Sequence, residues 1–328
     1  MVIFWVSVLA ISMLLYVLLD GFDLGVGILS GLTRDEGRRH TMMRAVAPIW
    51  DGNETWLVAG GVTLWAAFPV VYATVMSAFY LPVLLMLAGL ILRGIAFEYR
   101  HKTERMRWVW DASFAGGSFV ASFMQGVMVG ALVEGLPVAD GRYVGSEFGW
   151  LSPFALFCGV GLSVGHALLG ACWLVKKCDA DLRDAAYRLV PALSAVLLIV
   201  VFVVFVFALA EDLRVMVRWL ERPYLFIFPA IGTIAAIAMA WSVYRRRDGV
   251  PFAMVTIIFL AAFGTLAISF WPYMIPFSIT VAEAAAPHSS LAFMFWGAGL
   301  FVFPLMLIYT AISYRVFRGK VRSTTSHY

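Results

Sequence analysis

The chain has 328 residues, 62% of them apolar and 13% charged, with a formal net charge of +4 and a mean hydropathy of +0.88. That is about half the charge of a soluble surface, and far more apolar content than a disordered chain carries. A soluble enzyme is excluded, as is a transmembrane barrel with its weak alternating hydropathy, leaving an all-α polytopic membrane protein.

A membrane-crossing helix needs about 20 apolar residues, so stretches free of Asp, Glu, Lys and Arg mark the spans. The first, 1–19, predicts a helix leading into Asp20-Gly-Phe-Asp23-Leu-Gly25-Val-Gly27. Asp20 and Asp23 are three apart and share a helix face, and Gly25 and Gly27 allow close backbone approach. This span does not read as a removable signal peptide: it lacks a basic leading region, and acids follow where a small-residue cleavage site belongs. The next stretch, 55–92, is roughly 57 Å long as a straight helix against an apolar core of about 30 Å. It must fold back, and Phe68-Pro69 marks the turn. Its helices are flanked by Asp51 and Glu54, again three apart, and by Arg93, Glu98 and Arg100.

Further spans are predicted within 112–133, preceded by Asp111, and within 148–175, 189–210, 223–244, 249–282 and 284–314. Nine spans result. They form one integral membrane domain over 1–328, with a first bundle at about 1–133 holding the acids, a second at about 148–272 and a final helix at about 289–314. Of the 24 basic residues, only Arg142, Arg214, Arg218 and Arg222 fall on the side of the N-terminus; the others, down to Arg322, lie opposite. By the positive-inside rule the N-terminus is periplasmic and the C-terminus cytoplasmic. The cations therefore belong to membrane-flanking loops, and nucleic acid is not an expected partner.

Asp20, Asp23, Asp51 and Glu54, with Arg93, thus gather on the cytoplasmic side of the first spans. An ionisable group near lipid costs at least about 2.5 kcal/mol, so such groups usually face a bundle interior or an ion path. Each acid by itself could be a helix cap or half of a salt bridge, Asp51 with Arg93 being one pairing. Taken together they suit proton uptake from the cytoplasm, with Arg93, Glu98, Arg100 and Asp111 as a supporting charge network. Of five histidines, His40, His101, His288 and His327 lie in loops or the tail, and only His166 lies within a span. An interhelical hydrogen bond is its expected role, as it is for Gln125, and no haem or metal is expected in this chain. Cys158, Cys172 and Cys178 have no metal-ligand spacing and form no even set. Gly116, Gly117, Gly126, Gly130, Gly297 and Gly299 suit tight helix packing. Trp50, Trp56, Trp65, Trp108, Trp110, Trp150, Trp219 and Trp271 sit near span ends, as in an interfacial belt.

The motifs Asp20-Gly-Phe-Asp23-Leu-Gly-Val-Gly27, Trp50-Asp-Gly-Asn-Glu-Thr-Trp56, Phe68-Pro69, Arg93-Gly, Phe97-Glu-Tyr-Arg100, Trp110-Asp111 and Gly117-Ser118 resemble subunit II of the cytochrome bd-type quinol oxidases. The likeness is most specific in the first 120 residues and collinear to the C-terminus. The short chain and the Trp-Asp-Gly-Asn-Glu form look closer to the cyanide-insensitive branch. The resemblance implies a haem-free subunit of the bacterial inner membrane. Its partner would be a subunit I of homologous fold with two b-type haems and haem d, which oxidises quinol and reduces dioxygen to water. It further implies that Asp51 serves cytoplasmic proton uptake and that Asp20, Asp23 and Arg93 occupy family positions. A structural quinone and a small single-span accessory subunit are compatible with it. Two other readings stand beside it: a proton-coupled secondary transporter, which would want a mid-membrane substrate site and inverted repeats, and a purely structural assembly subunit.

Overall fold

The computed structural model describes residues 1–103, 105–210, 219 and 221–321. Arg214, Arg218 and Arg322 of the orientation argument, and His327, lie outside them.

Helix α1 spans Val2–Ser30, a single 29-residue rod. It continues well past 19, where the apolar run ends, because Asp20 and Asp23 point into other helices rather than into lipid or a headgroup layer. One π turn, Tyr16–Asp20, lies within it; such turns re-aim side chains and are common at functional sites. Helix α2, Glu36–Val46, was not expected between the first spans. Asp35 caps it, accepting a hydrogen bond from the Arg38 N–H at 3.0 Å, which satisfies one of the amide donors left open at a helix start.

Helix α3, Trp50–Ala67, ends at Phe68, and α4, Pro69–Ala78, leaves at 119° to it. The chain therefore turns back at Phe68-Pro69 as expected, but in two steps. Proline is well placed at a helix start, where its missing N–H would be unbonded anyway, and the ten-residue α4 is interposed before α5, Tyr80–Lys102. Helix α6, Arg107–Glu134, is followed by a two-stranded hairpin, β1 Val138–Ala139 and β2 Arg142–Tyr143. Its turn residues Asp140 and Gly141 have φ of 51° and 71°, the left-handed pair a tight hairpin demands. Then come α7, Pro153–Lys177, capped by Ser152; α8, Ala180–Ala210; α9, Pro223–Tyr244; and α10, Val250–Phe270. A second hairpin, β3 Tyr273–Ile275 and β4 Ile279–Thr280, leads to α11, His288–Val316. Among the described residues, eight helices are long and apolar enough to cross a membrane, and the bent α3–α4 pair makes nine.

α7 lies at the centre, with 61% of its apolar window buried, whereas α8 lies at the rim with 6%. Glycines permit that centre. A Cβ at Gly25 of α1 would lie 1.8 Å from the His166 carbonyl oxygen of α7, and one at Gly117 of α6 would lie 2.4 Å from the Gly89 carbonyl oxygen of α5. Backbone cannot yield as a flexible side chain can, so both crossings depend on the missing side chain. The expected first and second bundles thus meet along α1 and α7.

Two positions of the expected tryptophan belt are interior instead. Trp56 is fully buried and donates to Thr310 Oγ1 at 3.2 Å, and Trp150 is 7% exposed. Trp65, Trp108 and Trp271 do face outward.

Candidate functional site

Arg93 lies on α5 about two turns before the end of that span, and is wholly buried. Its Nη1 donates to Asp20 Oδ1 of α1 at 2.6 Å, and its Nη2 donates to Glu54 Oε1 of α3. The guanidinium also lies 6.0 Å from the Trp50 ring centroid, and Trp50 itself stacks on Phe97 at 4.9 Å. A planar fork with its charge always present suits two carboxylates at once. Three helices are thereby joined at a point that apolar packing alone would not specify.

Asp23, one turn beyond Asp20, is also buried but takes a different partner. Asn53 Nδ2 donates to Asp23 Oδ2 at 2.6 Å and to the Leu19 carbonyl at 3.1 Å, while Tyr314 of α11 donates its hydroxyl to Asn53 Oδ1 at 3.0 Å. One turn before Asp20 on α1, the Tyr16 hydroxyl accepts from Gln125 Nε2 at 2.9 Å. Polar side chains from α1, α3, α5, α6 and α11 therefore converge on the interior around the π turn of α1.

The structure brings together four of the residues singled out from the sequence, Asp20, Asp23, Glu54 and Arg93. Asp51 lies apart. It is exposed at the start of α3, one turn from Glu54, so the pairing considered between Asp51 and Arg93 is replaced by Asp20 and Glu54. Asp20 and Asp23 sit inside α1 rather than at its end, deeper than the apolar run suggested. Arg100 and Asp111 form a second cluster nearer the end of the bundle: Asp111 accepts from Arg100 Nε and Arg39 Nη1, each at 2.5 Å. Glu98 takes part in neither; it faces Lys102 at 3.7 Å on an exposed helix face, where an ion pair contributes little.

Three participants were missed from the sequence. Tyr16 and Tyr314 lie in apolar runs without charge to mark them. Asn53 stood within a quoted motif, and the available signal was a polar residue one turn inside a membrane helix.

His166 makes the interhelical bond expected of it, Nδ1 to Ser122 Oγ at 2.8 Å. Its other nitrogen faces Gly21, where a Cβ would lie 2.9 Å away. Among the described residues no group of three or more His, Cys, Asp or Glu side chains is placed to hold a metal ion.

The same end of the bundle carries the basic loops and a tether for the chain after α11. Lys177 Nζ donates to the Phe317 and Gly319 carbonyls, and Lys320 Nζ reaches Asp179 and Asp248, each at 2.9 Å. Although burial pushes the Asp248 carboxyl upward, hydrogen bonds from Lys320 and Tyr187 hold it below its usual range. Lys320 is held above its usual range, first by its bond to Asp179 and then by that to Asp248.

A family model described as cytochrome bd terminal oxidase subunit II matches residues 1–317. The chain is 32% identical to a probable cytochrome oxidase subunit 2 of Haemophilus influenzae, over 97% of this chain and 94% of that protein. It is 31% identical, with the same coverage, to the cytochrome bd-I ubiquinol oxidase subunit 2 of Escherichia coli K12. Against the cytochrome bd ubiquinol oxidase subunit 2 of Bacillus subtilis it is 28% identical, over 97% of this chain and 96% of that one. Its fold matches a chain of the bd oxidase from Geobacillus thermodenitrificans with a TM-score of 0.77, at 16% identity and 96% coverage of each.

Proposed function

Because the chain belongs to the cytochrome bd terminal oxidase subunit II family, and so is a multi-pass membrane subunit of a quinol oxidase, we propose that its buried acid–arginine cluster carries protons from the cytoplasm toward subunit I. In this reading the basic end of the bundle is cytoplasmic, the N-terminus is periplasmic, and the membrane is the bacterial inner membrane. Subunit I holds the two b-type haems and haem d, where quinol is oxidised and dioxygen reduced to water. The present chain holds no haem. Its part is to support subunit I and to deliver protons.

The observation that carries this reading is the step from surface to interior along α3. Asp51 is exposed at the start of that helix, Glu54 one turn further has a side chain that is 24% exposed, and Arg93 and Asp20 beyond it are wholly buried. Ionisable groups placed at graded depth are costly in a membrane and are found where protons or ions pass. Arg93 keeps the inner carboxylates compensated, and the wet end of the series is the end with the basic loops. Family membership displaces the transporter reading.

The experiment is to purify the tagged chain in mild detergent from cells that make the complete oxidase, then record a reduced-minus-oxidised absorption spectrum. A co-purifying larger subunit with b- and d-type haem bands is the expected result. A chain that purifies alone and colourless from such cells would overturn the assignment of haem to a partner bound to this subunit.

A further inference from the structure

Two buried acids and a half-buried one share one arginine. Asp20 and Glu54 occupy the two ends of the Arg93 guanidinium, and among the described residues Asp23 has no cation within ion-pair distance. Arg39 and Arg100 are taken by Asp111, and Lys177 by backbone carbonyls. Asp23 is 1% exposed, and its Oδ1 is buried with no hydrogen-bond partner among the described residues. A buried carboxylate with neither cation nor a full set of donors is far costlier than a buried neutral hydroxyl, so the group sheds its charge by binding a proton.

The groups facing Asp23 point the same way. Asp20 on its own helix and Glu54 on α3 are acids whose charge opposes a third, and Tyr314 of α11 brings no positive charge of its own. Among the described residues Arg93 is the one nearby cation, already divided between two carboxylates. Glu54, the most exposed of the three acids, is the one best able to stay ionised.

The hydrogen bonds also say where the proton sits. Asn53 Oδ1 accepts from Tyr314, which leaves its two amide hydrogens for the Leu19 carbonyl and Asp23 Oδ2. Turning the amide round would set its oxygen against the Leu19 carbonyl oxygen, so this orientation is fixed. Asp23 Oδ2 is therefore the accepting oxygen, and the proton belongs on Oδ1. Tyr314 is held in turn, edge-on to Phe22 at 6.4 Å and to Trp173 at 6.3 Å between ring centroids.

We infer that Asp23 carries a proton on Oδ1 in the resting subunit and stores it for the uptake path, with Tyr314 as a positioning residue acting through Asn53. The storage role rests on the proton-uptake reading above; the protonated state rests on the charge count and the hydrogen bonds alone. A proton given up from Oδ1 is replaced by one taken from the cytoplasm, so the acid is unchanged over a turnover.

The test is infrared spectroscopy of the complete oxidase in water and in heavy water, with turnover and haem content measured on the same samples. The wild-type complex is expected to show a protonated-carboxyl C=O band that shifts in heavy water and is lost in Asp23→Asn, with turnover reduced at least about tenfold at normal haem content. Tyr314→Phe is expected to displace the band without abolishing it, because Asn53 loses the bond that orients it. That variant removes one hydroxyl from a partly buried ring, and it carries the test alone if Asp23→Asn does not assemble. A spectrum with no band sensitive to either substitution would overturn the inference. A band lost in Asp23→Asn with turnover unchanged would leave the protonated state standing and overturn the storage role and the uptake reading behind it.

Discussion

Taking the guanidinium from Arg93 would leave Asp20 and Glu54 facing an interior with nothing to compensate them. Replacing a buried ion pair whole can be nearly neutral, but removing one partner costs on the order of 3–5 kcal/mol. Arg93→Met is therefore expected to lower the yield and thermal stability of the assembled oxidase by that order. Arg93→Lys, which keeps the charge but cannot bond two carboxylates through a planar fork, should fall between it and the wild type. Wild-type stability in Arg93→Met would show that the pairing contributes nothing. The acids and the arginine could be found from the sequence because a charge inside an apolar run is conspicuous. Which acid pairs with Arg93 could not, since that depends on how α1, α3 and α5 are rotated about their axes. Asp51 lies only one turn from Glu54, yet that turn is the difference between an exposed and a half-buried carboxylate. Asn53 and Tyr314 were harder still: neither is charged, and their bond joins residues 261 positions apart.

At the scale of helices, the glycines divide into two kinds that look alike in sequence. Gly116 and Gly117 are adjacent, but nothing lies within 4 Å of a Cβ built at Gly116, while one at Gly117 would meet the Gly89 carbonyl oxygen at 2.4 Å. Gly117→Ala should destabilise the complex by about 1–3 kcal/mol through overpacking. Gly116→Ala should be neutral or slightly stabilising through its better helix propensity. Equal thermal stability of the two variants in detergent would contradict the α5–α6 crossing. Likewise, the eight spans found among the described residues, nine with the bent pair, were readable from apolar runs, but the placement of α4 between two of them was not. Run length requires a reversal at Phe68-Pro69 without saying that ten residues turn aside there.

The tether after α11 is a further element with a pH signature. Because Asp248 is held low, its contribution is present above the ordinary carboxylate range and lost as pH falls through the depressed value. Because Lys320 is held high, its contribution is present below the ordinary amine range and lost as pH rises through the raised value. The tether is thus complete at neutral pH, though both side chains are about a third exposed and its worth is under about 1 kcal/mol. Protease cleavage after residue 317 in inside-out vesicles should be slow at neutral pH, faster in strong acid, and faster at neutral pH in Asp248→Asn. Cleavage rates equal at all three conditions would remove this account of the tail.

For the molecule as a whole, apolar composition and loop charge carried the class of protein and its span count a long way, because a bilayer restricts what can cross it. Those same features say little about what the subunit does inside an oxidase. The proposed proton uptake rests on a graded series, from exposed Asp51 through Glu54 to buried Arg93 and Asp20, which exists only once the helices are packed. Asp51→Asn tests the series most directly, since it changes one exposed side chain and touches none of the buried pairs. Measured on the purified complex with quinol and oxygen, turnover is expected to fall at least about tenfold while the b- and d-type haem bands keep their full amplitude. Undiminished turnover would contradict the proton-uptake role, and loss of haem or of assembly would return Asp51 to a structural part.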